Sequence, residues 1–100
     1  MQPKVTPAHV AISSTATDYE LRMELVRHLQ PLVRAGWLWI DDGLGGQVGE
    51  PIERADIVLL LVTADYFADE TCFQVERPLA LQRHEKRQAT VLPIHVRPVH

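Results

Sequence analysis

Six consecutive aliphatic residues, Ile57-Val58-Leu59-Leu60-Leu61-Val62, narrow the folds open to this chain more than any other feature. A half-buried strand alternates apolar with polar residues, whereas a run apolar at every position suits a strand covered on both faces. Strands of that kind lie at the centre of parallel sheets. The same run is far too short to cross a bilayer.

The segments around it alternate between strand-like and helix-like patterns. His9-Val10-Ala11-Ile12-Ser13 reads as a first strand, ending in the polar cluster Ser13–Asp18. Thr17 or Asp18 is placed to cap a helix from about Tyr19 to Arg34. Leu21, Leu25, Leu29 and Leu32 give that helix one apolar face. Pro31 should kink its last turn or end it early, and Gly36 supplies a stop. Trp37-Leu38-Trp39-Ile40, apolar on both faces, predicts a second strand buried on both sides. Asp41–Gly49 is a loop holding four of the 5 glycines, and a helical turn over Pro51–Arg54 follows. After the aliphatic strand, a helical region spans roughly Asp65–Arg87 with a break near Asp69. Val91–Val96 forms the last strand, where Pro93 argues against full pairing and for an edge position or a bulge. Alternation of this kind implies βαβ units and a parallel sheet. Ligands of such sheets bind outside the carboxyl ends of the strands, near the point where strand order reverses. Ser13–Asp18, Asp41–Gly49 and the segment from Thr63 onward fall there.

Composition bounds the rest. One hundred residues make one domain, with residues 1–8 as an irregular lead-in. A formal charge of −3 without a basic run offers no electrostatic footprint for nucleic acid or anionic lipid. The single cysteine, Cys72, excludes an internal disulfide. Met1–Pro7 has no apolar core of a signal peptide, so a cytoplasmic location is expected, with no nucleic-acid or membrane partner.

The sharpest chemical signal lies in the second helical region. An α-helical path puts Cys72, Val75, Glu76 and Leu79 on one stripe, with Glu76 as a carboxylate on or beside a buried face. Burial without a partner disfavours the charged form, which makes Glu76 a candidate for base or electrostatic work. The alternative is a boundary glutamate paired with Arg77, Arg83 or another arginine. Pro78 should bend the helix just after it. Gly43-Leu44-Gly45-Gly46 is a weak phosphate loop, since it follows the second strand rather than the first. Asp41-Asp42 reads as a turn rather than a metal site, and no histidine pair has zinc-like spacing with Cys72. Cys72 itself reads as a core residue. A receiver-like domain would need an acidic cluster after the first strand and a lysine ending the last, and neither is present.

Val10–Ser14, Leu29–Leu32, Trp39–Gly46, Ala55–Phe67 and Val91–Pro98 occur in an order that resembles a bacterial TIR (Toll/interleukin-1 receptor) domain. The resemblance spans Val10 to Pro98 and is most specific over Ala55–Phe67. It implies a flavodoxin-like three-layer α/β fold with about four strands in the order 2-1-3-4. It also implies an NAD⁺ glycohydrolase that needs no bound cofactor, with NAD⁺ as substrate, acting in bacterial defence or signalling. Glu76 takes the catalytic position, and Ser13, Ser14, Asp41, Asp42, Gly43 and Cys72 line the substrate pocket. A non-catalytic adaptor is the other role within the family, and both roles imply self-association with other TIR domains. The chain departs from the pattern at Ser14, where an aromatic residue is common. It also departs in the short stretch from Asp42 to Ala55 and in stopping after the fourth strand, so a shortened member is expected.

Overall fold

The computed structural model describes residues 6–41 and 49–96. Four strands, β1 (Ala8–Ser13), β2 (Leu38–Ile40), β3 (Ile57–Val62) and β4 (Thr90–His95), form one sheet in the order β2-β1-β3-β4. Every pairing is parallel. Helix α1 (Tyr19–Arg34) connects β1 to β2, α2 (Glu50–Arg54) precedes β3, and α3 (Ala64–Ala68) follows it. A π-helical segment (Thr71–Glu76) then runs directly into α4 (Arg77–Glu85), which leads to β4.

The alternation of side chains along the strands sorts the core into two layers. Val10, Ile12 and Leu59 face α1 and meet Leu25, Val26 and Leu29 from it. Ala11, Val58, Leu60 and Val91 face the opposite way and pack with Ile52 of α2 and Ala80 of α4. Helices therefore cover both faces of the sheet, which is the three-layer α/β arrangement. Burying the interior run Val58–Leu61 contributes roughly 1.5–3 kcal/mol per side chain, before the entropic cost of ordering the chain.

Helix α1 has the bounds expected, but its inner face differs. Leu32 is exposed and Val33 is partly covered in its place, so the covered row continues at intervals of four from Leu21 through Leu25 and Leu29 to Val33. Pro31 neither ends nor interrupts the helix. Its missing N–H and exposed ring are tolerated near the carboxyl end. The helix closes with Gly36 in the left-handed region at φ 81°. Gly36 N–H donates to Val33 O and Trp37 N–H to Leu32 O, the two bonds of a Schellman motif. Helix α4 ends with the same pair, Arg87 N–H to His84 O and Gln88 N–H to Arg83 O, with Arg87 at φ 57° in the glycine position.

Strand β2 is not buried on both sides as its composition suggested. It is a three-residue edge strand on which Trp39 is 46% exposed, with Trp37 just before it at 64%. Apolar content alone does not separate an edge from a centre, and Trp39 finds part of its cover by stacking on His9 at 4.3 Å between centroids. Strand β4 is the other edge, yet it pairs along its full length, with Pro93 opposite Leu60. Thr90 N–H donates to Asp56 O and Val96 N–H to Val62 O. Even-numbered residues therefore point their N–H groups at β3, and Pro93 falls on the outward side, where a missing N–H costs the ladder nothing. Among the described residues no helix is long and apolar enough to cross a membrane.

Candidate functional site

The strand order reverses between β1 and β3, since β1 leads to β2 on one side and pairs with β3 on the other. Ser13 ends β1 opposite Leu60, and Thr63 follows the last residue of β3. The carboxyl rim between them is where a ligand of such a sheet is expected. Glu76 reaches this rim from the π-helical segment.

The local sequence explains the unusual turn. Pro78 lacks an N–H for the carbonyl four residues earlier, and its ring would crowd that carbonyl in a regular α-helix. The wider turn just before it relieves the crowding, and Arg77 N–H bonds Cys72 O, five residues back. Pro78 thus sits in the first turn of α4, and the irregularity expected around it takes the form of the wide turn before it. The wider winding also changes the stripe. Cys72 is buried and Glu76 and Leu79 are partly so, but Val75 is turned outward, 45% exposed. Asp69 breaks the helical region where expected, with extended φ and ψ, and its Oδ1 accepts the Cys72 N–H at 2.9 Å.

Ser13 Oγ donates to Glu76 Oε1 at 2.7 Å and lies 2.9 Å from the Tyr66 hydroxyl. Ser13 and Tyr66 are almost wholly covered, at 1% and 0% exposure. A serine hydroxyl has one proton. With that proton on Glu76, the Tyr66 hydroxyl donates to Ser13, and a chain runs Tyr66 to Ser13 to Glu76. Glu76 therefore pairs with neither Arg77 nor Arg83. Arg83 instead donates to the carbonyls of Ile52, Ala55 and Gln88, tying α4 to the end of α2.

Electrostatics agree with a half-buried carboxylate. Burial pushes the Glu76 carboxyl above its ordinary range, the Ser13 hydrogen bond pulls it back, the Asp69 charge raises it and Arg22 lowers it. Glu76 is thereby a stronger base than a solvated carboxylate. The Tyr66 hydroxyl is pushed up to about 12, chiefly by burial. The Cys72 thiol is also pushed up to about 12, by burial first and then by the charges of Glu76 and Asp69, so it stays protonated, with Asp69 and Ser13 as its polar neighbours.

A second cluster holds the rim together. Asp18 Oδ2 accepts from Thr15 Oγ1 at 3.0 Å and from Thr63 Oγ1 at 2.5 Å, joining the loop after β1 to the end of β3. Asp18 takes the N-cap position of α1 as expected but makes no side-chain cap bond there, while Thr15 caps the short 3-10 turn before α1, its Oγ1 accepting the Asp18 N–H at 3.3 Å. Arg22 Nη1 donates to Ile12 O at 2.7 Å and to Ser14 Oγ at 3.4 Å, so a guanidinium lies along the end of β1.

The structure thus unites Ser13 and Glu76, with Cys72 behind them and Ser14 beside Arg22. Asp41 lies further down the sheet. Val10 pairs with Ile40, so Asp41 stands level with Ala11, roughly 7 Å below Ser13 at the usual rise per residue. Asp41 is buried and accepts from Arg54 Nη2 at 2.8 Å. Asp42 and Gly43 lie outside the described residues. A cleft of about 460 Å³ lined by Tyr19, Arg22, Trp39 and Asp41 runs between α1 and β2. Among the described residues no group of three metal-ligating side chains occurs. Sequence reasoning missed Tyr66, Asp18 and Arg22 as members of the site. Only the polar residues clustered at strand ends signalled the first two, and nothing in the helical spacing marked Arg22.

No family model matches the chain. A curated protein of Sinorhizobium fredii (strain NBRC 101917 / NGR234), the uncharacterized protein y4lF, is 38% identical over 98 residues, covering 88% of this chain. The matched region is 30% of that relative's length, so the chain spans less than a third of the protein it resembles.

Proposed function

We propose that this chain is a TIR-like domain that cleaves NAD⁺ at the nicotinamide–ribose bond, with Glu76 as the catalytic carboxylate. The observation that carries the reading is the position of Glu76, fixed by Ser13 at the carboxyl rim where strand order reverses. The sequence pieces from Val10 to Pro98 that resemble the family add to it.

The chemistry fits a single carboxylate. When the C1′–N bond breaks, its electron pair goes to the nicotinamide nitrogen, which leaves neutral and needs no proton. Positive charge develops on the ribose ring, and a carboxylate held beside it stabilises that charge. Water then adds to C1′ and gives up a proton, for which a carboxylate of raised basicity is a suitable acceptor. Arg22 offers a cation toward the substrate's diphosphate, and Tyr19 and Trp39 offer ring surfaces along the adjoining cleft. The reading belongs to the cytoplasm, where NAD⁺ is found and Cys72 stays reduced.

Concentrated protein incubated with NAD⁺ should release nicotinamide, measured by chromatography. Glu76→Ala should lower the rate on the order of 10²-fold or more while the circular dichroism spectrum is kept. Release unchanged by Glu76→Ala, or none from the wild type, overturns the reading. The adaptor role gains support from the exposed aromatic surface of Tyr19, Trp37 and Trp39 beside the β2 edge, a surface suited to self-association. It is the reading to adopt if the protein assembles without consuming NAD⁺.

A further inference from the structure

A second cavity, of about 300 Å³, lies on the opposite face of the sheet from α1, between β3–β4 and the helices α3 and α4. Its floor is apolar, with Leu60 and Val91 from the sheet, and Phe67 and Leu81 supply apolar walls. Phe67 is 54% exposed and Leu81 is also exposed, so these side chains do not close over the core. The polar groups on its lining are of one kind. Arg77, His84 and His95 line it together with the Tyr66 phenol, and among the described residues no carboxylate does, although the chain carries 13 Asp and Glu against 10 Lys and Arg.

Arg77 is the strongest of these groups. Its guanidinium lies 4.9 Å over the Phe73 ring and is partly covered, and it has no ion pair among the described residues. His84 Nδ1 accepts the Val91 N–H at 3.4 Å, which leaves Nε2 as a donor. An apolar cavity with a few convergent donors and no acceptor carboxylate is complementary to a molecule with an apolar body and an anionic head. We propose that this cavity binds a small organic carboxylate, its ring or branched body on Leu60, Leu81 and Val91 and its carboxylate on Arg77. The cavity shares Tyr66 with the chain of hydroxyls that holds Glu76, but Glu76 does not line it, and the proposal does not depend on NAD⁺ cleavage.

Two-dimensional amide NMR of the ¹⁵N-labelled protein, titrated with 2-naphthoate and with the neutral 2-naphthamide, tests it. Shifts should concentrate in α3, α4, β3 and β4. The acid should bind about tenfold or more tightly than the amide. Arg77→Gln should abolish that preference, and Leu81→Trp, which fills the cavity, should weaken both probes, each variant keeping a dispersed spectrum. Equal binding of acid and amide, shifts scattered over the surface, or an acid preference that survives Arg77→Gln overturns the proposal. So do cavity resonances that move with protein concentration alone, which would assign the surface to a second copy of the chain.

Discussion

At the scale of single residues, Glu76 couples position to proton affinity. A carboxyl whose affinity for its proton is raised in the folded state lends stability at pH below its ordinary value of 4.5. That contribution is lost as pH rises through the raised value, because the folded protein then holds a charge that burial disfavours. Glu76→Gln keeps the shape and an acceptor for Ser13 but carries no charge. The melting temperature of this variant relative to wild type should therefore climb as pH rises from 4.5 toward neutrality. Thermal melts at stepped pH measure it, and a difference that is flat with pH would contradict the burial assigned to this carboxyl. Glu76 was legible in the sequence because an acidic residue beside a buried face stands out. Its partners were not. Ser13 is 63 residues from Glu76 and 53 from Tyr66, and the contact depends on the β1–β3 register and on the π-helical winding. Asp41 shows the converse. Its place at the end of a strand suggested the pocket, and the register sets it level with Ala11, two residues short of Ser13, where it lines the cleft beside α1.

Among the elements, the helices were easiest to read where local chemistry sets their limits. Gly36 stops α1 as expected because only a residue free to adopt positive φ completes that closure without strain. α4 closes with the same hydrogen bonds but places Arg87 there. A side chain in the left-handed region costs about 1–2 kcal/mol, and glycine returns part of that gain as unfolded-state entropy. Arg87→Gly should therefore stabilise the fold by roughly 0.5–1 kcal/mol, seen as a higher urea midpoint with an unchanged slope. A lower midpoint would mean that the Arg87 side chain contributes more than its backbone costs. The π-helical segment was not legible. Its sequence pattern is that of an α-helix, and only Pro78 hinted that the preceding turn could not wind regularly.

For the molecule as a whole, the aliphatic run and the alternation of elements were enough to specify a parallel sheet under helices, and the sheet has that form. Edge positions were readable for β4 through Pro93 and for β2 through the order 2-1-3-4 that the resemblance implied, while the burial expected of β2 was misread, since its tryptophans are exposed. Both edges are poor templates for a further strand, β2 because it has three residues and β4 because Pro93 removes an outward N–H. Pro93→Val restores that donor and adds a strand-forming side chain. The variant should self-associate at concentrations where the wild type does not, as measured by sedimentation velocity. Identical sedimentation would show that the β4 edge is guarded by something other than the proline.

With all four strands parallel, no two of them can be joined by a tight hairpin. Ala8 must wait for Leu38 to be made before β1 gains its first neighbour, and His9 accepts its bond from Asp56 only later still. One of the two interior strands, β1, is thus the earliest of the four to be synthesised and stands unflanked while much of the chain emerges from the ribosome. Loop closure over such spans precedes any reward from pairing, so assembly should be slow for a chain of this size, with the nascent strand in need of shelter until β3 arrives.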